Sequence, residues 1–120
     1  MILRDAALGI ARFDDFRRSL GIAPNILTRR LAALVRDGLL QKRRYSERPP
    51  RDEYQLTAAG RDYIPVLQAI AAWGRTHHGE GKLSTLIDSE TGRVVDPVVV
   101  DRATGRPLSE MALRYERAED

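Results

Sequence analysis

Cysteine is absent from this chain of 120 residues, which excludes disulfides, thiol redox sensing and thiolate metal sites. Histidine is nearly as scarce, with His77 and His78 the whole supply. Neighbouring side chains on a helix diverge by about 100°, so the two do not make a metal pair. A favourable place at a helix C-terminus accounts for them, and no metal or cofactor is expected. No apolar run approaches the roughly 20 residues of a membrane span. Met1-Ile2-Leu3-Arg4-Asp5 puts charge where a signal peptide would be apolar, so the expectation is a cytoplasmic protein without a membrane partner. Catalytic signatures are missing as well: no Gly-rich phosphate loop, no nucleophile elbow and no zinc-type His-Glu motif. Asp14 and Asp15 are adjacent and diverge on a helix, which makes them poor acid-base machinery, and the chain is read as not an enzyme.

The chain does have positive charge, unevenly placed. Residues 1–80 carry fourteen Lys and Arg against nine Asp and Glu, a net of +5, whereas residues 81–120 carry six against eight, a net of −2. Between Asn25 and Arg51 eight basic residues face only Asp37 and Glu47, a local +6. Such a block suits a polyanion, although a solvated charged face has the same composition. The length allows one modest core and makes a partner subunit useful.

Residues 1–8 read as two turns of helix with Ile2, Leu3, Ala6 and Ala7 on one side, closed by Gly9. A second helix runs from Arg12 to Leu20, where Phe13, Phe16 and Leu20 form a buried stripe, and Gly21 breaks it. From Pro24 to Asp37 the positions Leu27, Leu31, Leu34 and Val35 keep helical spacing. Asn25, Thr28, Arg29, Ala32 and Arg36 then face outward. After Gly38, Gln41 to Tyr45 reads as a strand with a basic solvent side. Ser46 to Pro50 is a hairpin tip, since prolines remove ladder donors, and Arg51 to Leu56 returns with Tyr54 and Leu56 inward.

Thr57 is a good N-cap for a long helix from Ala58 to about His77, which Pro65 should kink or fray. Gly79-Glu80-Gly81 reads as a flexible joint. Beyond it Asp88-Ser-Glu-Thr-Gly-Arg93 and Asp101-Arg-Ala-Thr-Gly-Arg106 repeat at an offset of thirteen residues, each a polar turn with Gly at the position needing positive φ. Val94-Val95 and Val98-Val99-Val100 read as strands and Ser109 to Arg117 as a weak helix. The expected fold class is α+β, mainly α. Residues 1–80 form a winged helix-turn-helix with a two-stranded wing and a long C-terminal helix, and residues 81–120 a small β-hairpin tail.

Leu20-Gly-Ile-Ala-Pro-Asn-Ile-Leu-Thr-Arg-Arg-Leu31, Asp37-Gly-Leu-Leu40, Tyr45 with Arg48-Pro-Pro-Arg51, Tyr54-Gln-Leu-Thr57, Gly60 and Trp73-Gly74 together resemble the HxlR-type, MarR-like winged-helix transcription regulators of bacteria. The match covers about residues 2–78. It implies a dimeric DNA-binding repressor or activator, with the helix from Pro24 as recognition helix and Gln41–Leu56 as wing. Family members usually carry a further N-terminal helix, often preceded by a sensor cysteine, and this chain is expected to begin after both. Some relatives end in a cysteine-bearing, zinc-ribbon-like tail, whereas here the paired turns lack thiols, so neither thiol sensing nor metal binding carries over.

The major groove accepts one helix and is read by side chains near its N-terminus. That assigns Asn25, Thr28 and Arg29 to bases or adjacent phosphates, with a capping role the alternative for Asn25. Arg30, on the flank, would reach a phosphate or pair with Asp14 or Asp15. Arg43, Arg44, Arg48 and Arg51 would lie along the minor groove or the backbone. Tyr63, Val66, Leu67, Ile70 and Trp73 form the apolar side of the last helix. They pack in the core or between subunits of a homodimer, or they line a pocket for an unidentified aromatic effector. The partner expected from all this is double-stranded DNA. The alternative is a protein-interaction module derived from a winged helix, which would expose an apolar surface instead of selecting DNA.

Overall fold

In the computed structural model, which describes residues 1–79 and 86–118, three short helices lead into a hairpin and a long helix. They are α1 (Ile2–Ala7), α2 (Phe13–Leu20), α3 (Pro24–Arg36), β1 (Leu40–Glu47), β2 (Pro50–Leu56) and α4 (Ala58–His77). The fold is a mainly helical α+β winged helix, as expected. Packing divides the chain into two compact units, Met1–Leu67 and Gln68–Asp120. Among the described residues no helix is long and apolar enough to cross a membrane.

The first unit is built on one core. Phe16 from α2, Leu27 and Leu31 from α3 and Leu40 from β1 are buried, together with Ile2 and Leu3 of α1. Leu27 and Leu31 lie one helical turn apart and α2 contributes Phe16 across from them, so the helical stripes read from the sequence are the faces that pack. Asp5 is buried among them, 2% exposed. One of its carboxylate oxygens lies 3.5 Å from the Arg4 guanidinium, and the other has no hydrogen-bond partner.

Two glycines shape the helix ends. Gly21 closes α2 at φ +64°, and Gly38, at φ +81°, lets the chain reverse after α3. There the Leu39 N–H donates to the Leu34 carbonyl at 2.9 Å and the Gly38 N–H to the Val35 carbonyl at 3.1 Å. These two bonds satisfy carbonyls that the helix end leaves open.

Thr57 caps α4 as expected, since its Oγ1 accepts the Gly60 N–H at 3.1 Å. The same hydroxyl donates to the Gly38 carbonyl, and the Thr57 N–H donates to the Leu39 carbonyl at 3.1 Å. Gly60 is needed here for room. A β-carbon at this position would stand 2.1 Å from the Leu39 carbonyl oxygen, so only hydrogen allows α4 to approach the start of β1. The helix continues through Pro65, whose missing N–H withdraws the usual donor from the Arg61 carbonyl.

Several expectations need correction. The wing strands are longer than expected, because Ser46 pairs with Arg51 and Glu47 with Pro50. Proline is tolerated as the first residue of a strand, which confines the tip to Arg48 and Pro49. The valines of the tail form no strands, only single bridges joining Ile87 to Val94 and Val100 to Pro107. The segment from Ser109 to Arg117 is not helical beyond a single 3-10 turn, Leu108–Glu110. Leu113 and Tyr115 stay exposed there, so a helix would have no apolar face to bury. Of the glycine joint, Glu80 and Gly81 lie outside the described residues.

The internal repeat of the tail is structural. Asp88 and Arg93 exchange the same backbone bond as Asp101 and Arg106, each at 2.9 Å. Gly92 and Gly105 take φ +74° and +71°, and each aspartate accepts the N–H two residues on.

Replacing Gly60 by alanine should destabilise the protein by at least the 1–3 kcal/mol typical of overpacking, because the obstacle is backbone. Urea unfolding followed by circular dichroism checks this, and an unchanged midpoint would contradict the packing described.

Candidate nucleic-acid interface

The helix α3 starts with Ala23 in an extended conformation and Pro24 inside the first turn, with no side-chain cap. Asn25 is exposed, and its side chain makes no hydrogen bond to any described residue. The cap-residue alternative for Asn25 therefore finds no support in the geometry. Thr28 turns its hydroxyl back onto the Pro24 carbonyl at 2.9 Å. Its methyl group and the guanidinium of Arg29, one position on, are left on the outer surface. Arg29 is exposed and forms no ion pair among the described residues.

Arg30 points elsewhere. Asp14 and Asp15 pair with Arg17 and Arg18 of their own helix, so neither holds Arg30. It lines a largely apolar groove of about 520 Å³ with Ile2, Leu3, Leu20, Ile22 and Leu34.

The wing is an antiparallel ladder running from Leu40 opposite Leu56 to Arg44 opposite Asp52, interrupted by a bulge at Tyr45. Side chains alternate across a ladder. Leu40, Lys42 and Arg44 thus share one face with Leu56, Tyr54 and Asp52, and Arg43 projects from the other. On the shared face Asp52 is central: Lys42 Nζ lies 3.5 Å from one of its carboxylate oxygens and Arg44 Nε 3.5 Å from the other. Arg44 also lies 3.8 Å from Glu47. Arg43, Arg48 and Arg51 are exposed and make no ion pair among the described residues.

The segment before α2 docks onto this hairpin, a feature the sequence did not reveal. The Tyr54 N–H donates to the Ala11 carbonyl at 2.7 Å, and Arg12 bridges Glu53 as a one-residue third strand. The Arg12 guanidinium then lies over the Tyr45 ring, 4.2 Å from its centre. A bulged residue is re-aimed relative to its neighbours, which is how Tyr45 leaves the ladder to meet Arg12. The wing is thereby tied to α2. A polar hollow of about 420 Å³ between them is lined by Asp14, Asp15, Arg18, Arg51 and Asp52, among others.

On α4 the apolar series splits. Ile64 and Leu67 pack against the core of the first unit. Val66, Ile70 and Trp73 are 49%, 57% and 58% exposed, and Tyr63 36%, so within one chain these four are not core residues, the inward face being taken by Ile64 and Leu67. The Trp73 ring lies tilted against those of His77 and His78, with centres 5.3 and 5.2 Å apart, and no cluster of potential metal ligands occurs among the described residues.

Comparison with known proteins agrees with this architecture. The family model described as HxlR-like helix-turn-helix matches residues 1–82. An uncharacterized HTH-type transcriptional regulator of Mycobacterium tuberculosis, Rv3095, is 35% identical over 111 residues, covering 91% of this chain and 70% of the relative. Among solved structures, PA1374 from Pseudomonas aeruginosa, described provisionally as a transcription factor, is 45% identical and superimposes with a TM-score of 0.77 over 99% of this chain and 84% of its own. PA1607, described in the same way, is 35% identical with a TM-score of 0.81, covering 98% and 83%.

Replacing Tyr45 by alanine should cost about 0.5–1 kcal/mol, the usual range for an exposed cation–π pair. It should also speed amide hydrogen exchange at Tyr54, whose N–H holds the Ala11 segment. Unaltered exchange at Tyr54 would show that the stacking does not secure the wing.

Proposed function

The chain belongs to the HxlR-like helix-turn-helix family, and on that membership and the geometry of its basic elements we propose that it is a homodimeric regulator that reads duplex DNA in the cytoplasm. That it is a transcriptional regulator with a helix-turn-helix domain, and no enzyme, follows from the family and its relatives. The observation that carries the finer proposal is the outer surface of the first turns of α3. Asn25 and Arg29 stand there exposed and unengaged by any described group, where a recognition helix presents its base-reading side chains. Arg29 has the fork geometry for guanine and Asn25 the amide for adenine, each pairing worth about 1–3 kcal/mol of discrimination. Thr28 contributes its methyl, or its hydroxyl once that leaves the Pro24 carbonyl, to a base or phosphate.

The wing supplies the sequence-blind part. Arg43, Arg48 and Arg51 are free to neutralise phosphates, and Arg44 joins them only by releasing Asp52. Arg30, beside the apolar groove, is a flank contact at most. The second copy is held by α4: Tyr63, Val66, Ile70 and Trp73 are spaced by three, four and three residues, one face of a helix, and they are the large side chains that this helix leaves in water. Two recognition helices then sit about one turn of DNA apart, roughly 34 Å, on a pseudo-palindromic site. The apolar groove near Ile2, Leu3 and Leu34 is the one observation favouring the second reading, a docking surface for a partner protein.

Selection from a duplex library, followed by titration at several salt concentrations, decides between the two. Arg29→Ala should weaken the selected site by about 1–3 kcal/mol and relax base preference at one position. The double change Arg48→Ala and Arg51→Ala should weaken all duplexes alike and reduce the salt slope by about 0.9 for each phosphate no longer neutralised. A folded protein that selects no duplex would refute DNA reading and favour the protein partner. Separately, Ile70→Glu should shift the sedimentation coefficient to that of a monomer. A persisting dimer would remove α4 as the subunit contact.

A further inference from the structure

We propose that Asp52 is an internal competitor for DNA phosphate, which holds Lys42 and Arg44 back from sequence-blind binding. The inference rests on the DNA-reading function proposed above and concerns the wing alone.

Asp52 lies directly across the ladder from Arg44 and diagonally from Lys42. Its two oxygens are divided between them, one for each cation, both at 3.5 Å. The carboxylate side chain is 24% exposed, whereas those of Lys42 and Arg44 are 53% and 50% exposed. The anion is thus the more buried partner, while the cations it holds face solvent. Glu47, 81% exposed and 3.8 Å from Arg44, adds only a loose second anion. A wing cation binds DNA by replacing condensed counterions on a phosphate. Arg43, Arg48 and Arg51 do so from water, but Lys42 and Arg44 must first leave a carboxylate already in place. Asp52 therefore lowers the affinity for every duplex by the same factor, while the base contacts of α3 are untouched. The opposite arrangement is a buttress, in which Asp52 aims Arg44 at a phosphate and its loss weakens binding.

The test is Asp52→Asn in the full chain, with binding to a random-sequence duplex measured by fluorescence anisotropy from low to moderate salt. Asp62→Asn on α4 is the control for the same change in net charge, since Asp62 is exposed and makes no ion pair among the described residues. The expected result is a gain of roughly tenfold at low salt for Asp52→Asn, well beyond that of Asp62→Asn. The slope against log salt should steepen by about 0.9 for each cation released. Adding Lys42→Gln and Arg44→Gln to the Asp52→Asn protein should abolish the gain. Equal gains in the two asparagine variants, an unchanged slope or weaker binding by Asp52→Asn would overturn the proposal, the last in favour of the buttress. If neither the wild type nor any folded variant binds duplex, the DNA-reading function itself fails, an outcome separable from the others because no slope exists to compare.

Discussion

A carbonyl oxygen, that of Leu39, sits where α3, the wing and the first turn of α4 converge, and the packing of the first unit is arranged around access to it. The chain has just left α3 through Gly38 and is about to enter β1. The far end of β2 returns to the same place, so Thr57 meets the Gly38 and Leu39 carbonyls and α4 starts immediately beside them. The approach is possible only because Gly60 has no side chain. A backbone group buried by such an approach must be paired, and the Thr57 N–H pairs the Leu39 carbonyl while its hydroxyl pairs that of Gly38. Few residues thus hold α3, the base of the wing and the first turn of α4 in one relative orientation.

Electrostatics acts on a second level. The basic block between Asn25 and Arg51 divides into cations already engaged with carboxylates and cations left to solvent. Arg36 is paired locally with Asp37, and Lys42 and Arg44 share Asp52. Exposed pairs of this kind contribute about 0–1 kcal/mol each to stability, so their greater effect is on which charges remain available. Arg29, Arg30, Arg43, Arg48 and Arg51 remain, Arg30 beside the apolar groove. Net charge alone overstates the surface open to a polyanion.

Much of the fold was legible because its signals are local. Phe16 on α2, and Leu27 with Leu31 on α3, sit on stripes of helical period and belong to the core. Gly21 and Gly38 mark turns that only positive φ closes, and Thr57 is a cap by its chemistry. The twin Asp-to-Arg turns of the tail were visible as a repeat and share one hydrogen-bond pattern. The candidate site was legible in part. Residue type and helix position brought out Asn25, Thr28 and Arg29, but nothing in a run of basic residues shows that Asp52 holds Arg44. Strand alternation would have separated Arg43 from Arg44. The bridge from Arg12 to Glu53 had no signal at all, since a strand one residue long has no period.

The sequence by itself determined the order and kind of the main elements, the family and the absence of thiol chemistry, because helix period, caps, turn glycines and composition act over a few neighbouring residues. Tertiary structure alone decided the need for Gly60, the tie between Arg12 and Tyr45, the capture of Lys42 and Arg44 by Asp52, and the exposure of Ile70 and Trp73. Each depends on which residues distant in the chain meet after folding. It also decided that the tail valines stay unpaired as strands, since an extended segment becomes a strand only where a neighbour supplies the other half of its hydrogen bonds.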